Sequence, residues 1–202
     1  MKWPKHVDFD RPEDEGLDGA VNFYLDTPDG AKIGVWHVLP ASMVEESRGQ
    51  SRDWFELQLA KGVPIVIYMH GNTGSRAREH RVEMYRVLRS QLGCHVVCFD
   101  YRGYADSSPV MPTKCGVVTD GHRVYEHISS LAGDSPVFVW GHSLGTGVSS
   151  AVVAELCSRA GDGGDAAAGL KLPRALVLES PFNNIRDEVM TNNSLIMSYV
   201  CY

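Results

Sequence analysis

The chain has no pair of cysteines at C-x-x-C spacing and no cluster of histidine and cysteine at zinc-ligand intervals, so the sequence signals no metal site. Its five cysteines, Cys94, Cys98, Cys115, Cys157 and Cys201, are an odd number, which does not read as a disulfide framework; most read as small apolar core residues. No cofactor fingerprint is present either. Also missing is any run of about eighteen apolar residues, the length a membrane span requires. The opening Met1-Lys2-Trp3-Pro4-Lys5-His6 lacks the apolar stretch of a signal peptide, so the sequence by itself reads as soluble. There is no basic stripe: the formal net charge is -6, with 19 Lys and Arg interspersed among 25 Asp and Glu, and nucleic acid is not an expected partner. Finally, no histidine follows residue 142.

What is present suits one compact core: 44% of the 202 residues are hydrophobic and 22% charged. Residues 1–20 are polar and punctuated by Pro4, Pro12, Gly16 and Gly19, as expected of a lead-in wrapping a surface. Val21 to Leu25 and Lys32 to Val38 flank the turn cluster Thr27-Pro28-Asp29-Gly30, which predicts an antiparallel hairpin. Short apolar runs follow at Val63 to Met69, Val96 to Phe99, Val137 to Trp140 and Ala175 to Leu178. Such continuous runs are expected of strands buried on both faces. Helical spacing over Glu79 to Leu92, Val117 to Leu131 and about Thr146 to Ala160 separates them, and Trp54 to Leu59 predicts a short amphipathic helix. The alternation predicts an α/β fold, with a mostly parallel sheet covered by helices on both faces. Residues 21–190 are expected to form this incomplete domain, interrupted by the Gly-rich loop 161–169, and 191–202 a divergent tail holding a sequon at Asn192.

Val137-Phe138-Val139-Trp140 runs into Gly141-His142-Ser143-Leu144-Gly145 and then into a helix-compatible stretch. This is the strand-turn-helix setting of a G-x-S-x-G nucleophile elbow. The serine backbone in such a turn is strained, and only small residues two places before and after it let strand and helix approach. Gly141 and Gly145 fill those places, and Gly147 is expected to add clearance. Ser143 Oγ would then project at the carboxyl end of the sheet, where open α/β sheets bind ligands. His142 occupies a variable position of the motif and is expected to pack away from the reacting side.

Acyl transfer at a serine also requires donors aimed at the oxyanion, and losing one costs about 2.7–4 kcal/mol of transition-state stabilisation. The N–H of Leu144, directly after the nucleophile, is one candidate. The N–H of Asn72 is the other: it lies in His70-Gly71-Asn72-Thr73-Gly74, after the strand Val66-Ile67-Tyr68-Met69, where Gly71 is expected to permit an unusual backbone angle. His70 is expected to brace this loop by hydrogen bonding rather than to act as a base.

The elbow, the His-Gly-Asn-x-Gly loop and the segment Phe99-Asp100-Tyr101-Arg102-Gly103-Tyr104-Ala105-Asp106-Ser107 together resemble α/β-hydrolase-domain serine lipases. Asn22 to Leu25, Ile33 to His37, Trp140 to Gly147 and Leu178 to Phe182 extend the likeness from about Asp8 to Val189. Within that family the chain is similar to the membrane-anchored lysophosphatidylserine and monoacylglycerol lipases. The resemblance implies hydrolysis of an acyl ester on a lysolipid or glyceride at the endoplasmic reticulum membrane, although no membrane span occurs in these residues. A thioesterase or peptidase shares the same elbow chemistry, and an inactive interaction protein could share the fold. At Ala105 related sequences usually carry glycine.

In this fold the triad runs Ser, then Asp or Glu, then His, and none of the eight histidines follows Ser143. The acidic candidates after it are Glu155, Asp162, Asp165, Glu179, Asp187 and Glu188. Only Glu179 is well placed along the chain, and the expectation there is a carboxylate holding a neighbouring loop. The sequence therefore predicts the nucleophile half of a site without its base. It also predicts that the last apolar run, Ala175 to Leu178, is an uncovered sheet edge through which the chain self-associates.

Overall fold

The structure, a computed structural model, describes residues 7–161 and 171–181. The Gly-rich loop, the tail with its sequon, and Asp162, Asp165, Asp187 and Glu188 lie outside the described residues.

The turn cluster makes the predicted hairpin. Gly30 takes φ 87°, and Thr27 Oγ1 accepts the Ala31 N–H at 2.9 Å. This turn joins β1 (Ala20–Asp26) to β2 (Lys32–Val38) in antiparallel register, Ala20 opposite Val38 and Asp26 opposite Lys32. The chain then passes through α1 (Arg52–Gln58), β3 (Ile65–Met69), α2 (Glu79–Gln91), β4 (His95–Phe99), α3 (Lys114–Leu131), β5 (Val137–His142), α4 (Leu144–Gly161) and β6 (Ala175–Glu179). The sheet order is β1-β2-β4-β3-β5-β6. β3, β4, β5 and β6 run parallel, with Ile65 opposite His95 and Val137, and β2 joins β4 antiparallel. Met69, Phe99, His142 and Glu179 therefore end at one edge of the sheet, and the loops after them meet there.

Strand alternation divides the core between two faces. Ile65, Ile67, Met69, Val97, Phe99, Val137 and Val139 pack against Val117, Val124 and Ile128 of α3 and Val148, Val152 and Leu156 of α4. Val66, Tyr68, Val96, Cys98 and Trp36 pack against Val82, Tyr85 and Leu88 of α2. Gly93, at φ 62°, follows the end of α2, and Thr113 caps α3 by accepting the Gly116 N–H at 3.1 Å. The lead-in closes over the α2 face: Leu17 is fully buried there, and Phe9 O accepts the Trp36 Nε1–H at 2.8 Å.

The expectation that all four later strands are buried on both faces needs correcting, whereas the uncovered edge expected at Ala175 to Leu178 is present among the described residues. β3 and β4 are buried along their whole length, but β5 alternates and β6 does not follow the rule at all; Val177 and Leu178 are more than a third exposed. The reason is position in the sheet: among the described residues β6 has a partner strand on one side only. Ala105 takes φ 47°, in the left-handed region, so a Cβ is held where glycine carries no penalty.

A buried histidine pair joins β2 to β4: His37 Nε2 and His95 Nδ1 are 2.9 Å apart. One ring must donate and the other accept, so the acceptor is neutral, and burial disfavours charge on the donor as well. Burial lowers both pKa values, that of His95 to about 4, and the neighbouring ring lowers His37 further. An unfolded histidine titrates near 6.5, so the unfolded chain binds more protons than the folded one below that pH. The stabilisation from neutral His95 is complete above about pH 6.5 and is lost as pH falls towards 4. Urea unfolding from pH 7 to pH 4 is expected to show stability falling by about 3 kcal/mol through His95. A profile flat between pH 6.5 and 4.5 would contradict the buried neutral pair.

Candidate active site

Ser143 sits between the end of β5 and the first residue of α4 with φ 50°, a left-handed backbone that a serine adopts only when its surroundings enforce it. The flanking glycines show what enforces it. A Cβ on Gly141 would lie 2.3 Å from Gly145 O and 2.4 Å from Ser149 Oγ, and one on Gly145 would lie 1.9 Å from Met69 O. Strand β5, helix α4 and the end of β3 therefore approach closer than any side chain allows. Gly147 does not contribute: a Cβ there meets nothing within 4 Å. It faces solvent, so the clearance expected of it is not needed. Ser143 N–H donates to Glu179 O at 3.0 Å, tying the elbow to β6.

The His70–Gly74 loop lies directly beside the elbow. A Cβ on Gly71 would come within 3.0 Å of His142 Nδ1 and 3.3 Å of Ser143 Cβ. Gly71 itself has no positive φ; glycine is required here for room and not, as the sequence suggested, for an unusual angle. Gly74 is the residue with the left-handed φ, 77°. Neither the Asn72 nor the Leu144 N–H has an acceptor among the described residues. For Leu144 the reason is general, since the first N–H groups of a helix have no intrahelical partner.

His142 is half-buried. It stands beside Gly71 and 6.3 Å, centroid to centroid, from the His80 ring, so it packs alongside the loop of residues 70–74. His70 is fully buried. Its Nδ1 is 2.7 Å from Gly71 O, which can only accept, so Nδ1 carries the proton. Its Nε2 lies 3.1 Å from Asp100 Oδ1. Burial lowers the pKa of His70 more than Asp100 raises it. Burial pushes the Asp100 carboxyl up, but His70 and the Arg76 guanidinium more than offset this and hold it below the usual range.

The loop after β4 braces the same place. Tyr101 Oη donates to His70 O at 3.2 Å, and Tyr104 Oη to Asn72 Oδ1 at 2.9 Å. Arg76 is fully buried and reaches Asp100 and Asp106 at 2.6 Å each. These residues were invisible to a search for catalytic types. The only sequence signal was the Asp100-Tyr101-Arg102 segment following a strand.

No side chain among the described residues hydrogen-bonds Ser143 Oγ. Glu179 Oε2 accepts the Trp140 Nε1–H at 3.0 Å. Glu155 pairs with His122 at 2.6 Å and stands about 18 Å from Ser143 along α4 at 1.5 Å per residue.

Residues 64–159 match the family model described as the alpha/beta hydrolase fold. The chain is 44% identical over 192 residues to "Lysophosphatidylserine lipase ABHD12" of Gallus gallus, covering 95% of this chain and 47% of that protein. It is 41% identical to the Danio rerio protein of the same name, covering 99% and 50%. It is 40% identical to "Protein ABHD12B" of Homo sapiens, covering 92% and 48%. The chain thus spans about half the length of the curated relatives it matches. Among solved structures, a lidless α/β serine hydrolase from Xanthomonas campestris superposes with TM-score 0.56 at 21% identity, over 79% of this chain and 60% of that one. A hydrolase from Agrobacterium vitis gives 0.54 at 16%, over 86% and 62%. The sheet order, the Gly-flanked serine at the β5–α4 turn and these likenesses agree: the chain has the alpha/beta hydrolase fold.

Proposed function

We propose that these residues form the nucleophile half of a serine hydrolase that cleaves acyl esters of lysophospholipids or monoacylglycerols. Ser143 is the nucleophile, and the N–H groups of Asn72 and Leu144 receive the oxyanion. The observation that carries the reading is Ser143 at φ 50° beside a loop so near that a Cβ on Gly71 would come within 3.3 Å of Ser143 Cβ. In the reaction, Oγ adds to the ester carbonyl carbon and its proton passes to a base. The carbonyl oxygen becomes an anion facing the two N–H groups, and collapse of the adduct expels the alcohol, which takes up the proton. The lysophospholipid is suggested by the names of the relatives in chicken and zebrafish, and the monoacylglycerol by the sequence resemblance alone.

The base is the part these residues do not offer. Every histidine precedes Ser143 in the sequence, and His70 has both ring nitrogens facing Gly71 O and Asp100. An oxyanion hole without a working triad still accelerates acyl transfer by about 10³–10⁴ over water. Incubating the purified chain with a fluorophosphonate probe is therefore expected to give slow labelling over hours that Ser143→Ala abolishes. Labelling indifferent to Ser143→Ala would refute the nucleophile assignment. Stoichiometric Ser143 labelling within minutes would show that a base is present after all, with His142 and His70 the first to replace.

A further inference from the structure

Two arginines are buried behind the oxyanion loop, and they differ in one respect. Arg76 is neutralised by Asp100 and Asp106. Arg81, on the first turn of α2 and only 2% exposed, has no carboxylate partner among the described residues. Its two terminal nitrogens bond main-chain carbonyls, Nη1 donating to Ser75 O at 2.7 Å and Nη2 to Gly71 O at 3.1 Å and Thr73 O at 2.7 Å, while the buried Nε has no hydrogen-bond partner. A buried cation without a counter-ion is costly. One whose donors converge on three carbonyls of a single short loop indicates a task in that loop.

Peptide geometry shows what the task is. In a trans peptide the C=O of one residue and the N–H of the next point in opposite directions across a rigid plane. No described peptide is cis. Gly71 O is held from one side by both Arg81 Nη2 and His70 Nδ1, so the Asn72 N–H of the same peptide is turned away from them, and it has no acceptor of its own. Rotating that plane would break both bonds to Gly71 O. Arg81 also places positive charge behind the loop: it lowers the phenol pKa of Tyr101 and Tyr104, both packed there, against the upward effect of burial.

We infer that Arg81 is a positioning residue for the oxyanion loop: by gripping Gly71 O, Thr73 O and Ser75 O it fixes the Gly71–Asn72 peptide so that the Asn72 N–H is presented to substrate. The catalytic part of this inference rests on the serine-hydrolase reading; the structural part does not. Lysine has the charge but cannot span three carbonyls in a planar fork, and glutamine has neither.

Arg89, also buried on α2 about two turns further along, donates to Asp18 O at 2.6 Å and serves as the control. Amide exchange across residues 70–78 is expected to quicken by about tenfold or more in Arg81→Gln, less in Arg81→Lys, and not in Arg89→Gln. Ser143-dependent phosphonylation is expected to slow by about tenfold to a hundredfold in Arg81→Gln, with partial rescue in Arg81→Lys. Unchanged exchange in the loop overturns the inference whatever the chemistry shows. Faster exchange with an unchanged phosphonylation rate at Ser143 overturns the positioning role. Should wild-type labelling not depend on Ser143, the hydrolase reading fails and the exchange arm alone decides whether Arg81 holds the loop. If Arg81→Gln does not fold, Arg81→Lys carries the same comparisons.

Discussion

Alanine in place of Gly145 is expected to destabilise the protein by at least about 3 kcal/mol, beyond the usual range for overpacking. The added methyl would stand 1.9 Å from Met69 O, 2.6 Å from Met69 C and 3.0 Å from His70 O. All three are main-chain atoms of β3 and the loop it feeds, so no rotamer change can make room. Either α4 lifts off β3 or the end of β3 bends, and both movements separate the Ser143 turn from the loop of residues 70–74. Gly147→Ala is the natural comparison: it lies on the same helix, its Cβ meets nothing within 4 Å, and alanine there gains up to about 1 kcal/mol from helix propensity. Urea midpoints should therefore move in opposite directions for two Gly→Ala changes two residues apart. A Gly145→Ala protein with a wild-type midpoint would mean that strand and helix are not in this contact.

Replacing Arg76 with methionine should lower stability by about 3–5 kcal/mol, the cost of removing one partner from a buried ionic group. The side chain is held by Nη1 on Asp100 Oδ2 and Asp106 Oδ1, both at 2.6 Å, and by Nη2 on Asp106 Oδ2 and Asn22 Oδ1, both at 2.9 Å. It also lies over the Phe9 and Trp36 rings. Methionine keeps much of the packing but leaves Asp100, which is fully buried, with only the residue 76 N–H and His70 for company. Asp106→Asn should cost less, because that carboxylate is partly exposed and Asp100 keeps its ion pair. Arg76→Lys should not restore the wild type, since an ammonium cannot serve both carboxylates in a fork. Chemical denaturation of the three variants checks the order; an Arg76→Met midpoint equal to that of Asp106→Asn would show that Asp100 does not depend on the pair.

These expectations differ in how visible they were before folding. The elbow glycines could be read because their reason is local: G-x-S-x-G between a strand and a helix has few other uses. The hairpin and the helices followed from turn chemistry and apolar spacing, which are also local. Arg81, Arg76, Asp100 and Tyr104 could not be read this way. Each is polar, and sequence patterning treats polar residues as surface until a buried partner appears, nearby along the chain for Arg81 and far along it for the others. Arg76 meets Asp106 thirty residues away, and Tyr104 meets Asn72 across thirty-two.

The sequence by itself determined the class of fold, the order of strand and helix, and the glycine-flanked turn that holds Ser143, because backbone periodicity and the steric demand for glycine are properties of neighbours in the chain. The tertiary structure alone decided that Gly71 is there for space, that His142 stands against the loop of residues 70–74, and that β5 alternates in burial where a continuous apolar run implied a strand buried on both faces. It also decided that a buried arginine, without a carboxylate partner among the described residues, grips the carbonyls of Gly71, Thr73 and Ser75. Those outcomes depend on which parallel strands lie side by side and which loops therefore share an edge, a non-local choice in which hydrogen bonding and burial across the whole sheet outweigh any local preference.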